Sequence, residues 1–168
     1  AGTLRLGANA VIPNGSNVTV NTGATLDLNN FDDTINGLSG TGGLLSTGGA
    51  KTLPTPPLMH GAAHWASFNG FHSGNTVVFQ DINDRFDPHD ALSTVEREKV
   101  NAMLIVGDAF ARPLLDQLRV QTYDLSSLFA LVSGGAALNA MLKKELLELL
   151  PKIMILDAVG SSETGSQA

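Results

Sequence analysis

Three short stretches without a charge or a turn former constrain this chain most: Ala102-Met103-Leu104-Ile105-Val106, Leu128-Phe129-Ala130-Leu131-Val132 and Ile153-Met154-Ile155-Leu156. A strand that is apolar on both faces must be covered on both, as parallel strands are in a sheet flanked by helices. The intervening segments supply those helices. Asp87-Pro88 starts one, with Asp87 as N-cap, Pro88 in the first turn, and Leu92, Val95 and Val100 on its apolar side. A second helix is expected over 108–117, kinked or restarted at Pro113. The third and clearest runs over 138–150, with Leu142, Leu146, Leu149 and Leu150 at helical spacing and Pro151 as its stop. The β-branched run Asn75-Thr76-Val77-Val78-Phe79 reads as a further strand. Strands and helices alternating through short links imply right-handed crossovers and a parallel sheet, so the fold class is α/β.

Residues 1–51 are of another kind. They are rich in Gly, Asn and Thr, and nearly uncharged. Thr3-Leu4-Arg5-Leu6, Asn17-Val18-Thr19-Val20 and Ala24-Thr25-Leu26-Asp27-Leu28 alternate at period two, the signature of short strands. Pro13-Asn14-Gly15-Ser16, Asn21-Thr22-Gly23 and Asn29-Asn30 punctuate them as turns. Such spacing fits a meander or the rungs of a β-solenoid. The segment Thr47-Gly48-Gly49-Ala50-Lys51 reads as a flexible join between a short all-β arm, 1–51, and a partial parallel sheet with flanking helices, 52–168.

A net charge of −6 gives no basic footprint and argues against a nucleic-acid partner. No apolar run approaches the roughly 20 residues of a membrane span. The absence of Cys excludes disulfides and thiolate chemistry, and the four His have no zinc-site spacing. The missing Met at position 1 and the stop at Ala168 suggest a fragment.

In parallel sheets ligands sit beyond the carboxyl ends of the strands. Two Gly- and Ser-bearing loops there are the site candidates: Ser133-Gly134-Gly135-Ala136 and Gly160-Ser161-Ser162-Glu163. Each has an ordinary alternative. Gly134-Gly135 also suits a turn into a helix, Glu163 a carboxylate favoured by a helix dipole, and His60 or His64 plain packing or capping. The Ser residues lack the Gly-x-Ser-x-Gly spacing of a hydrolase nucleophile.

Three stretches in this order resemble the acyl-CoA synthetase branch of the adenylate-forming enzymes: Leu53-Pro54-Thr55-Pro56-Pro57-Leu58-Met59-His60-Gly61-Ala62-Ala63-His64-Trp65, Leu131-Val132-Ser133-Gly134-Gly135-Ala136-Ala137-Leu138, and Asp157-Ala158-Val159-Gly160-Ser161-Ser162-Glu163-Thr164-Gly165. The resemblance runs from about Leu53 to the last residue. It implies that a carboxylate is activated by ATP to an acyl-adenylate and passed to coenzyme A. It implies that His60 gates the passage between nucleotide and acyl pocket, with Gly61 and Ala62 on the acyl side. Gly134, Gly135 and Ala136 would wall the adenine, with Val159 and Gly160 beside it. Ser162 would touch phosphate, and Glu163 would be the magnesium ligand and, with Ser162, the catalytic pair. Fatty acid, ATP, Mg2+ and coenzyme A are the implied ligands, in a cytoplasmic parent enzyme. Ala137 stands where the family usually has Pro, and Val159 where many members have an aromatic. The family's phosphate loop ending in Pro-Lys-Gly is missing before Leu53, where Ser46-Thr47-Gly48-Gly49-Ala50-Lys51 is no more than a faint echo of it. The ribose-binding Asp and the C-terminal domain with its Lys would lie beyond Ala168. The expectation is a segment unable to catalyse alone.

The first module resembles the passenger-associated β-repeat of bacterial autotransporters, through Gly2-Thr3-Leu4, Gly23-Ala24-Thr25-Leu26-Asp27-Leu28-Asn29 and Thr34-Ile35-Asn36-Gly37-Leu38-Ser39-Gly40-Thr41-Gly42-Gly43. That resemblance keeps open a surface-associated structural module, or a gene junction without selected function. Exposed strand edges imply self-association.

Overall fold

The computed structural model describes residues 2–29, 37–40, 44–46, 49–161 and 165–167. Ser162 and Glu163, the Thr47-Gly48 part of the expected join, Asn30, and residues 34–36 and 41–43 of the repeat-like stretch lie outside the described residues.

The chain opens with β1 (Gly2–Arg5), β2 (Asn17–Val20), β3 (Ala24–Asp27), β4 (Gly37–Gly40) and β5 (Leu44–Ser46). β1, β3 and β5 pair in parallel, Gly2 opposite Ala24 and Thr25 opposite Leu44. β2 and β4 form a separate parallel pair, Asn17 opposite Gly37. Leu6, Val20 and Leu26 make a small buried cluster between them. The alternation read from the sequence sets these three side chains inward.

β6 (Lys51–Pro54), α1 (Gly61–His72), β7 (Thr76–Val78), α2 (Pro88–Glu98), β8 (Ala102–Ile105), α3 (Gly107–Val120), β9 (Ala130–Gly134), α4 (Ala140–Leu149), β10 (Met154–Ser161) and β11 (Gly165–Gln167) follow. Among the described residues, one sheet has the order β1-β3-β5-β7-β6-β8-β9-β10-β11. Its centre, from β7 to β10, is wholly parallel, whereas β5–β7 and β10–β11 are antiparallel pairs at the flanks.

The order β7-β6-β8 means that the chain first steps one way from β6, then turns back past it. Right-handed crossovers in opposite directions place their helices on opposite faces. The side chains agree. Val78 belongs to the core shared with α2, α3 and α4, while its neighbour Val77 lies outside that cluster, where a Cβ on Gly70 of α1 would meet it at 3.4 Å. Met103, Ile105 and Leu131 join the α2–α4 core, together with Leu53, Leu92, Val95, Leu114, Leu115, Leu142 and Leu146. α1 covers the other face and sends Phe71 against the small β cluster.

Asp87 is the N-cap of α2: its carboxylate accepts from the Asp90 N–H at 3.0 Å, with Pro88 in the first turn. Four expectations need correction. The helix expected over 108–117 runs unbroken through Pro113, because the carbonyl that Pro113 cannot serve belongs to Ala109 on the exposed side of α3. The last strand continues from Met154 to Ser161 instead of ending near Leu156. Gly160 and Ser161 are therefore strand residues, paired with Ser166 and Gly165 of β11, and not part of a loop. β9 runs Ala130–Gly134 instead of over 128–132, so Ser133 and Gly134 end a strand and the loop begins at Gly135. The α1 helix has no counterpart among the elements expected from the sequence.

Candidate functional site

His60 follows β6 and ends its turn by donating its N–H to the Pro57 carbonyl at 2.8 Å. It is the N-cap of α1, where Nδ1 accepts from the Ala62 N–H at 3.3 Å. With Nδ1 accepting, the neutral ring carries its proton on Nε2. The ring packs against Gly135: a Cβ there would lie 3.0 Å from Cε1 and 3.5 Å from Nε2. Gly135 has φ +85°, a conformation that side chains resist. Two independent constraints thus require glycine at 135. Gly134 is less demanding, since a Cβ there would meet Ala158 at an ordinary 3.5 Å.

A cavity of about 540 Å³ opens beyond the carboxyl ends of β6, β8, β9 and β10, at the point where the strand order reverses. His60, Gly61, Ala62, Gly134, Gly135, Val159 and Gly160 all line it. Residues that are far apart in the sequence and were expected to work together therefore share one wall. Ala136 does not line it; its carbonyl faces Gly107 instead. Ser162 and Glu163 lie outside the described residues.

The sequence reading missed Trp65 and Asn69, which line the cavity from the face of α1 that also carries Gly61. It missed Leu104, Val132 and Ala158, the floor side chains. Leu104 and Val132 are paired in register, and Ala158 is paired with Gly134. Strand alternation would have found the floor once the cavity side was known.

Behind the Gly134-Gly135 turn lies a polar clamp. Gly107 donates its N–H to the buried Ser133 Oγ at 3.2 Å, and Asp108 donates its own to the Ala137 carbonyl at 3.1 Å. The Asp108 carboxylate accepts from the Asn139 N–H at 2.8 Å and from Asn139 Nδ2 at 2.7 Å. Asn139 Oδ1 in turn accepts from the Leu142 N–H at 2.9 Å and caps α4. The Asn139 N–H first, and its side chain second, hold the Asp108 carboxyl below its ordinary value of 3.8. The depressed value makes the clamp's contribution fully present above the ordinary value and lost as pH falls through the lowered one. On the far side of the turn, Lys143 of α4 is ion-paired with Asp157 of β10.

Among the described residues no group of three or more His, Asp or Glu side chains is placed to hold a metal ion. No helix among the described residues is long and apolar enough to cross a membrane.

A cavity at the strand ends, walled by a histidine cap and a glycine turn, sits in a stretch that matches the model of the AMP-binding enzyme family over residues 23–168. The chain belongs to that family. The match of this AMP-binding chain reaches back into β3, inside the stretch expected to form a separate arm. Over 119 residues it is 45% identical to the medium-chain acyl-CoA ligase Mig of Mycobacterium avium, covering 71% of this chain and 22% of the relative. Over 123 residues it is 41% identical to a 3-oxocholest-4-en-26-oate–CoA ligase of Rhodococcus rhodochrous, covering 70% and 22%. The chain spans about a fifth of the length of these curated relatives. Among solved structures, a luciferase-like enzyme from the nonluminescent mealworm Zophobas morio superposes with a TM-score of 0.62 at 24% identity, over 70% of this chain and 27% of that one. A long-chain-fatty-acid-CoA ligase from Archaeoglobus fulgidus gives 0.59 at 19%, over 71% and 24%. These two likenesses concern the fold alone.

Proposed function

We propose that this AMP-binding chain is a segment of an ATP-dependent acyl-CoA synthetase, and that its cavity is the junction between the acyl and adenylate halves of the intermediate. The carrying observation is the packing of His60 on Gly135, in a cavity also lined by Val159 and Gly160. On this reading Gly61, Ala62 and the apolar floor flank the acyl side, and the Gly135 backbone takes the flat face of adenine. Val159, 72% exposed at the rim, offers less stacking surface than an aromatic would. Ser162 and Glu163 are assigned the phosphate and magnesium contacts. In the parent reaction the substrate carboxylate attacks the α-phosphorus of ATP and pyrophosphate leaves; the coenzyme A thiol then displaces AMP. A cytoplasmic parent enzyme accords with such substrates. The sequence before Leu53 carries no Pro-Lys-Gly phosphate loop, so the chain alone binds the intermediate without making it.

Calorimetry with decanoyl-sulfamoyl adenosine, a stable acyl-adenylate mimic, tests this. Saturable binding is expected, weakened at least about tenfold by Gly135→Val, whose side chain meets His60. No heat and no thermal shift at about 1 mM mimic would remove the proposal.

A second reading concerns residues 1–51. The parallel stacks β1-β3-β5 and β2-β4 repeat at about twenty residues, a period compatible with solenoid rungs. On that reading the arm is a β-repeat module of a surface-associated protein, joined to the 52–168 module. Among the described residues β1 pairs only with β3 and is exposed along its length, so its outer edge recruits a second copy. Light scattering should then show an apparent mass rising with concentration, and Leu4→Lys should suppress the rise. A constant monomer mass would count against the edge.

A further inference from the structure

We propose that Asp108 is a positioning residue that fixes Gly135 against His60 and thereby sets the affinity of the cavity for its ligand; this rests on the acyl-adenylate reading. The turn after β9 spans 135–139 and ends in the cap of α4. Its course between those ends is set by the start of α3. Gly107 fits against the Ala136–Ala137 peptide so closely that a Cβ would lie 2.4 Å from the Ala137 oxygen. Asp108 supplies the three remaining ties, one from its N–H and two to its carboxylate. None of these groups lines the cavity, yet they hold the glycine that packs on His60. The carboxylate also sits at the N-terminus of α3, where its negative charge is favoured.

The requirement is specific in hydrogen-bond terms. Asn139 cannot turn its amide, because Oδ1 is committed to the Leu142 N–H. Asp108→Asn therefore sets an NH2 group against the Asn139 NH2 group and breaks one tie. Adding Asn139→Asp repairs it: the new amide at 108 donates to the new carboxylate at 139, whose other oxygen still caps α4. The amide oxygen at 108 goes on accepting the N–H of residue 139. The exchanged pair thus has every bond of the original.

The experiment uses the full 168-residue chain, its D108N variant and the D108N/N139D exchange. NMR reads the amide signal of Gly135 and the Hε1 signal of His60 without ligand; calorimetry reads the dissociation constant of decanoyl-sulfamoyl adenosine. D108N should displace both signals and weaken binding about tenfold, as expected for one lost charge-assisted hydrogen bond. The exchange should return the signals and bring binding back within about threefold of the parent. If D108N lowers Tm while leaving both signals in place, or if the exchange fails to restore them, Asp108 is a stability residue and the inference is wrong. If the parent chain binds no mimic, the acyl-adenylate reading falls, and the two NMR signals still decide whether Asp108 positions the turn.

Discussion

Leu131→Ala is expected to lower the free energy of unfolding by about 2–5 kcal/mol. Leu131 is 1% exposed in β9, opposite Met103 of β8 and Ile155 of β10. Its side chain lies in the cluster that Leu114, Leu115, Leu142 and Leu146 close from α3 and α4. Both neighbouring strands are anchored by backbone bonds, so the sheet cannot collapse into the vacated space, and the cost falls in the upper part of the range. Urea unfolding followed by circular dichroism measures it. Leu131→Met nearly conserves volume and should cost less than about 1.5 kcal/mol. A loss below about 1 kcal/mol for the alanine variant would mean that this strand is not held between two helical layers.

Gly107→Ala should cost about 2–4 kcal/mol, an unusual loss for the addition of a single methyl group. The backbone at 107 has φ +50°, which alone strains a side chain. The new Cβ would also lie 2.4 Å from the Ala137 oxygen and 2.9 Å from the Ala136 carbonyl carbon. Backbone is the obstacle, so no rotamer change gives relief, and the turn must move. That motion breaks the Gly107–Ser133 and Asp108–Ala137 bonds. Gly134→Ala is the control: its Cβ meets Ala158 at 3.5 Å, and the loss should stay within about 1 kcal/mol. Equal losses for both variants, measured by thermal unfolding, would remove the steric explanation.

The elements legible in the sequence were those whose signals are local. β8 reads as a continuous apolar run, β9 reads two residues early because Leu128 and Phe129 extend its apolar run beyond the strand, and α2 has an Asp-Pro start that the Asp87 cap bears out. α1 was invisible for a physical reason. Its cap is a histidine ring nitrogen, and it exposes Trp65 and Phe68 while burying Ala63, Ser67 and Gly70, which inverts the usual pattern. The extension of β10 past Leu156 carries no continuous apolar run: Asp157 and Ala158 are held by Ser133 and Gly134 of β9, and Val159, Gly160 and Ser161 by β11. At the site, His60, Gly61, Ala62, Gly134, Gly135, Val159 and Gly160, named from three separate stretches, line one cavity, whereas Ala136 does not. The clamp was not legible: Asp108 and Asn139 are 31 residues apart, and nothing near either names the other.

Successive residues on the central strands serve different masters. Leu104 and Val132 look into the cavity, while Ile105 and Leu131 beside them look into the α2–α4 core. The lining of the cavity and the maintenance of the fold therefore fall on opposite sides of one sheet. A lineage could recontour the pocket by changing every second side chain, leaving the scaffold's leucines untouched.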